Sequence, residues 1–243
     1  MSGYFWATRQ HRYSLTFALP LLLAYEGLVI FTSGMGENVR NGADVLMKSV
    51  FLWLGGETGL VVFGAVVVGV GVALVIRDFR RHGDGKPLRV SFMALMTVES
   101  VVYAAFLGVV VSTLTTVILH PPLALMQGGS FEKLPFLSQV TVSLGAGLYE
   151  ELLFRVIVVS AFVGLGLWLR WKRSFATVVA VFASALVFSA FHYIGPYGDE
   201  WELTSFTFRA VAGVVLSTLY VMRGFGIAAW SHALYDVGLA LLR

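Results

Sequence analysis

The chain has 243 residues, 58% of them hydrophobic and 13% charged, and its mean hydropathy is +0.82. A soluble domain carries about 25% charged residues, and no polar stretch here is long enough to build one. Net charge is +3, but the basic residues cluster in short loops and read as topology signals rather than a nucleic-acid surface. The absence of cysteine excludes disulfides, thiolate metal ligands and a cysteine nucleophile.

The apolar runs are continuous and do not alternate apolar with polar, so helices are expected and a membrane β-barrel is disfavoured. Arg9 and Arg12 precede the first run. That run carries Glu26 and has no clear small-residue cleavage site, so it reads as a retained first helix rather than a signal peptide. Seven candidate spans follow in chain order, at 14–32, 59–77, 92–119, 137–160, 174–193, 204–222 and 224–242, each near the ~20 residues a bilayer requires. Residues 41–54 mix Val45, Leu46, Val50, Phe51 and Leu54 with Asp44 and Lys48, the pattern of an amphipathic helix in the interface. His120-Pro121-Pro122 and Gly128-Gly129 break the chain after the third span. Gly83-Asp84-Gly85 reads as a turn, and no internal repeat is evident.

The Lys/Arg distribution gives an orientation. With the N-terminus inside, the inner segments hold Arg9, Arg12, Arg77, Arg80, Arg81, Lys86, Arg89, Arg170, Lys172, Arg173 and Arg223. The outer segments hold Arg40, Lys48, Lys133 and Arg243, so N-in, C-out is expected.

Glu150-Glu151-Leu152-Leu153-Phe154-Arg155 puts three ionisable residues within six positions of an apolar segment. Intramembrane charges are rare and are functional-site candidates by default. Glu151 and Arg155 are four apart, share a helix face, and stand in the favourable order for an ion pair. Glu150 is left with no partner on its own helix, free to act as a general base or acid. The alternative is that both glutamates only join helices. His192 ends the fifth span one turn after Phe188, as an interfacial residue or a catalyst. His232 and Asp236 again share a face. There an Asp can fix an imidazole tautomer, both can ligate a metal, or the pair can join two helices. No His-Glu-x-x-His, Gly-x-Ser-x-Gly or Gly-x-Gly-Asp occurs, so the usual zinc, serine and aspartyl membrane-protease signatures are missing.

Glu-Glu-x-x-x-Arg, then Phe-x-x-x-His, then His-x-x-x-Asp, in this order on successive spans, resembles the CAAX prenyl endopeptidases and bacteriocin-processing enzymes. This is the Abi family of Ras-converting-enzyme type. The resemblance covers about residues 137–242. The hydropathy pattern places an N-terminal three-span region with an interfacial helix (1–136) ahead of it, in which no motif of the family is found, and the resemblance implies a four-span catalytic core (137–243). With the seven spans counted above, the expected fold is an all-α, polytopic membrane bundle of about seven helices; the resemblance implies that it surrounds a polar cavity and acts as an intramembrane glutamate endopeptidase. On that resemblance Glu150 activates water, His192 helps hold and polarise it, and His232 donates to the oxyanion. Glu151, Arg155 and Phe188 give structural support. Asp236 falls where the family has Asn or Asp. Ionised, it cannot donate to an oxyanion, which leaves it to orient His232 or to act protonated.

The expected partners are a peptide or protein substrate with a membrane segment or tail, and membrane lipid, without nucleic acid. No cofactor is required, since no ligand spacing demands a metal. The same four polar residues around Zn²⁺ form the alternative. His192 at the outer end of span five, and Glu150 in a span entering from outside, predict a cavity towards the non-cytoplasmic face of a prokaryotic inner membrane. Exported peptides are then favoured over a cytosolic prenylated tail. A non-catalytic scaffold or immunity protein and a proton-coupled transporter are the other readings.

Overall fold

The computed structural model describes residues 2–81, 88–120, 134–195 and 198–242. The Gly83-Asp84-Gly85 turn and the Pro121-Pro122 and Gly128-Gly129 breaks lie outside them. The regular elements among the described residues are all helices: α1 (Ser2–Thr8), α2 (His11–Gly34), α3 (Gly42–Arg81), α4 (Val90–Leu119), α5 (Phe136–Gly145), a π-helix (Ala146–Val159), α6 (Ser160–Trp168), α7 (Arg173–Phe191), α8 (Leu203–Arg223) and α9 (Phe225–Leu241). α5, the π-helix and α6 run on as one rod, Phe136–Trp168. Among the described residues six helices, counting that rod once, are long and apolar enough to cross a membrane. α9 has 17 residues and is the shortest of the seven expected spans.

The short helix and the second span expected over 41–54 and 59–77 are joined as α3, with the break between them kept at Gly55 and Gly56. Gly56 has φ +58, a conformation open to glycine at little cost. The turn between α8 and α9 uses Gly224 in the same way, at φ +85, so two spans follow each other with a single linking residue.

Contacts between helix ends define two sides of the bundle. On one side, Arg223 donates to Thr8 (2.9 Å) and Arg9 to the Val221 carbonyl (3.0 Å), and the Arg12 N–H donates to Asp78 (3.1 Å). On the other, Ser138 at the start of α5 bonds Glu37 in the α2–α3 loop, and Asp199 before α8 pairs with Arg209. The chain therefore alternates up and down as the spans predict. The side that gathers Arg9, Arg12, Arg80, Arg81, Arg173 and Arg223 is the basic one.

α9 forms the centre, against α2, α4, α5, α8 and the π-helix. Its interior positions are small: Ala228, Ala229 and Ala233 are fully buried. Small residues let helix backbones approach closely where lipid supplies no hydrophobic drive for association. Serines bond across the remaining contacts: Ser184 to the Phe154 carbonyl (2.7 Å) and Ser189 to the Phe206 carbonyl (2.6 Å). The outward positions are apolar and exposed, among them Ile30, Val61, Val90 and Phe106. That is the surface a bilayer covers.

Candidate active site

The glutamate pair lies on a π-helix, where an α-helix was the simpler expectation. Such i→i+5 segments are rare and recur at functional sites. Wider bonding turns the chain less per residue than the α-helical 100°, so consecutive side chains diverge less. Both Glu150 and Glu151 accordingly point inward, at 6% and 0% exposure. The expected ion pair is present, with Arg155 Nη1 3.2 Å from Glu151 Oε1. Arg155 is completely buried, and its guanidinium nitrogens make no hydrogen bond among the described residues. Its charge rests on Glu151 and on the face of Phe188, whose ring centroid is 4.4 Å from the guanidinium carbon.

Phe188 is the hub of the site rather than a passive filler. Its ring meets Phe154 edge-on at 5.2 Å and His192 at 4.9 Å, and lies 6.3 Å from His232. His192 caps the C-terminal end of α7, where its Nδ1 lies 2.9 Å from the Phe188 carbonyl. A carbonyl only accepts, so Nδ1 carries the proton and Nε2 of the neutral ring keeps its lone pair. His192 is half-buried.

His232 projects from α9 between two carboxylates. Its Nδ1 is 2.8 Å from Glu151 Oε1, and its Nε2 is 3.4 Å from Asp236 Oδ2. The side chain that fixes the imidazole through Nδ1 is therefore Glu151, which sequence reasoning paired with Arg155 alone. Asp236 faces the opposite nitrogen and keeps 24% of its side-chain surface exposed. His192 and Asp236 are the members of the cluster open to the outside. Two apolar grooves lie elsewhere, one between α2, α4 and α9 and one between α4, α8 and α9, and none of these four polar residues lines them.

Glu150 has its hydrogen-bond partner outside the expected core: Asn41 Nδ2 donates to Glu150 Oε1 at 2.8 Å. Asn41 sits at the start of α3, in the segment expected to lie in the interface. A polar network holds it there. Tyr25 donates to Asp44 (2.8 Å), which also takes Arg40 (2.9 Å) and Lys48 (2.7 Å). Glu26 accepts from Lys48 (3.2 Å) and Tyr149 (2.8 Å). Asn41-Gly42 ahead of an amphipathic stretch is a readable helix start, but nothing local to it points at Glu150. At the basic side, Glu99 is the partner of Arg223 (2.7 Å) and Tyr4 (2.7 Å), far along the fold from this cluster.

Fold and site together define a polytopic helical membrane protein with a carboxylate and two imidazoles enclosed among its helices. Residues 132–238 match the family model described as type II CAAX prenyl endopeptidase Rce1-like. This segment carries the signature of the CAAX prenyl endopeptidases, a family of peptidases. No curated protein and no solved structure matches the chain.

Proposed function

We propose that the protein is an intramembrane glutamate endopeptidase in which Glu150 activates the attacking water. The observation that carries the reading is Glu150 itself. It is a buried carboxylate with one oxygen held by Asn41 and with His192 and His232 within electrostatic reach. Peptide hydrolysis by water needs a base within hydrogen-bond reach of the water and donors aimed at the developing oxyanion.

Glu150 takes a proton from water while His192 Nε2 accepts the other O–H, and the oxygen adds to the scissile carbonyl carbon. His232 Nε2–H donates to the oxyanion. To do so with Nδ1–H already on Glu151, the ring carries both protons in that step. At rest the Nε2 side of the ring faces Asp236, 3.4 Å away; in the reaction the Nε2–H bond stays intact and its hydrogen bond goes to the oxyanion instead. When the tetrahedral intermediate collapses, the C–N bond breaks and Glu150 returns its proton to the leaving amine. This sequence uses no metal, so a chelator should leave activity intact, and loss with restoration by Zn²⁺ would favour the zinc alternative.

The substrate we infer is a membrane-associated or exported peptide, such as a C-terminal tail or anchor, reached from the non-cytoplasmic face of a prokaryotic inner membrane. The excess of Lys and Arg on the opposite side of the bundle supports that orientation. The family description supports a second reading, the processing of a prenylated tail from the cytoplasmic face.

The deciding experiment compares terminal peptides of membrane and secreted proteins in native cells carrying wild-type or Glu150→Gln protein at matched abundance. A small set of termini lost in the variant supports the enzyme and identifies substrate, cleavage site and membrane side together. Unchanged termini, with a phenotype on full deletion, overturn the catalytic reading in favour of a scaffold or immunity protein.

A further inference from the structure

We propose that Asn41 is a positioning residue for Glu150, holding one carboxylate oxygen so that the other meets the reacting water. This rests on the reading of Glu150 as the base. It makes the N-terminal helices, which lie outside the family-matched segment 132–238, part of the active site.

The orientation of the Asn41 amide is fixed from both ends. Its Oδ1 accepts the Ala43 backbone N–H at 2.8 Å, the bond that caps α3. Nδ2 is therefore the atom facing Glu150, and a carboxylate oxygen is its natural acceptor. The side chain cannot rotate away without uncapping the helix. Its backbone is held as well, since the Asn41 N–H donates to Tyr25 Oη at 3.3 Å and Tyr25 is tied to Asp44. α5 comes close enough for the contact because Gly145 faces this corner. A Cβ there would stand 2.7 Å from Asn41 Cβ and 2.6 Å from the Tyr25 ring.

Capping alone does not account for asparagine. Serine or aspartate caps a helix N-terminus as well, but serine cannot span the gap to Glu150, and aspartate would set a second carboxylate against it. What asparagine adds is a neutral donor. It orients the carboxylate without neutralising it, as a guanidinium would, and so leaves Oε2 basic. The groups facing Glu150 are His192 at the end of α7, His232 on α9 and Arg155 on its own helix, with Asp236 of α9 in electrostatic reach. Among the described residues, the hydrogen bond from Asn41 is the one that Glu150 makes.

The test uses the full chain in lipid nanodiscs, with Asn41→Ser, Asn41→Asp and Glu150→Gln. An infrared titration follows the protonated carboxyl band of Glu150, identified as the band missing in Glu150→Gln. Asn41→Ser should unfold like wild type, because the cap remains, yet protonate Glu150 about one pH unit higher, and Asn41→Asp higher still. With a peptide spanning a terminus lost in the Glu150→Gln cells, Asn41→Ser should lower kcat roughly 10- to 100-fold, the worth of one hydrogen bond to a charged group, and leave KM within about twofold. Where Asn41→Ser does not accumulate, Asn41→Asp carries the same readouts. An inactive Glu150→Gln beside an Asn41→Ser with unchanged kcat and an unmoved band overturns the role of Asn41 and leaves Glu150 as base. An active Glu150→Gln overturns both, and the band still reports whether Asn41 governs the protonation of Glu150.

Discussion

His232 Nδ1 stands 2.8 Å from Glu151 Oε1, the same oxygen that lies 3.2 Å from the Arg155 guanidinium. Glu151 thus couples an imidazole on α9 to a buried cation on its own helix. Replacing it with alanine removes the one carboxylate paired with Arg155 and leaves an uncompensated charge in the interior. Removing one partner of a buried pair costs about 3–5 kcal/mol. Glu151→Ala should therefore fail to accumulate or unfold far below wild type in detergent. Glu151→Gln, which keeps the shape and a carbonyl acceptor for His232, should fall between the two. Equal thermal stability of Glu151→Ala and wild type would show that Arg155 finds its counter-charge elsewhere.

The reverse substitution should be milder. Arg155→Met leaves Glu151 its bond to His232 and fills the same channel with an apolar side chain, so its loss of stability should be smaller than that of Glu151→Ala. The same variant tests the stacking on Phe188. A double-mutant cycle of Arg155→Met with Phe188→Leu should return a coupling of about 0.5–2 kcal/mol in unfolding free energy, the range for a desolvated cation over an aromatic face. Phe188→Ala alone should cost about 3–5 kcal/mol. Additive single effects would mean that Phe188 serves the site by volume only.

Most of this cluster was legible in the sequence because its spacings are local. Glu151–Arg155, Phe188–His192 and His232–Asp236 are each four residues apart, and all three pairs meet in the fold. The helical runs were legible for the same reason, since length and hydropathy decide them. What the sequence did not disclose is non-local. Asn41 and Glu150 are 109 positions apart, and the bond of Glu151 to His232 spans 81. Neither distance leaves a periodic trace. The π-helix was equally hidden, because Ala-Gly-Leu-Tyr-Glu-Glu suits an α-helix as well, and tertiary contacts decide between the two. The expected interfacial helix at 41–54 was recognised as a helix but not as the element that reaches the glutamate, because its polar face was read as facing headgroups. Asp44 and Asn41 on that face are in fact buried.

Gly147 sets the distance between the glutamate helix and α9. A Cβ at this position would stand 2.5 Å from the Ala233 Cβ and 2.7 Å from its backbone nitrogen, closer than real contacts allow. Because the obstacle is backbone, α9 has to move. Overpacking of this kind costs about 1–3 kcal/mol, and here it also shifts His232, the residue before Ala233, away from Glu151. Gly147→Ala should lower the unfolding temperature and the turnover of any substrate found above. Gly164→Ala, on the same rod with open space around it, should leave both near wild type. Equal behaviour of the two variants would show that α9 tolerates the displacement.

Membrane sidedness decides which substrates can reach Glu150, and the chain is well suited to measure it because it contains no cysteine. Glu200, between α7 and α8, and Lys172, before α7, are both exposed and lie at opposite ends of α7. In intact cells a membrane-impermeant maleimide should label Glu200→Cys and spare Lys172→Cys until the cells are opened. That result puts His192, which ends α7 near Glu200, at the non-cytoplasmic face, where exported peptides are the accessible substrates. The opposite labelling pattern would turn the site towards the cytoplasm and favour a prenylated tail. The preference is physical: seven basic residues at the ends of α2, α3, α7 and α8 (Arg12, Arg77, Arg80, Arg81, Lys172, Arg173 and Arg223) lie on the side opposite Glu200, and short loops rich in Lys and Arg are retained on the cytoplasmic side.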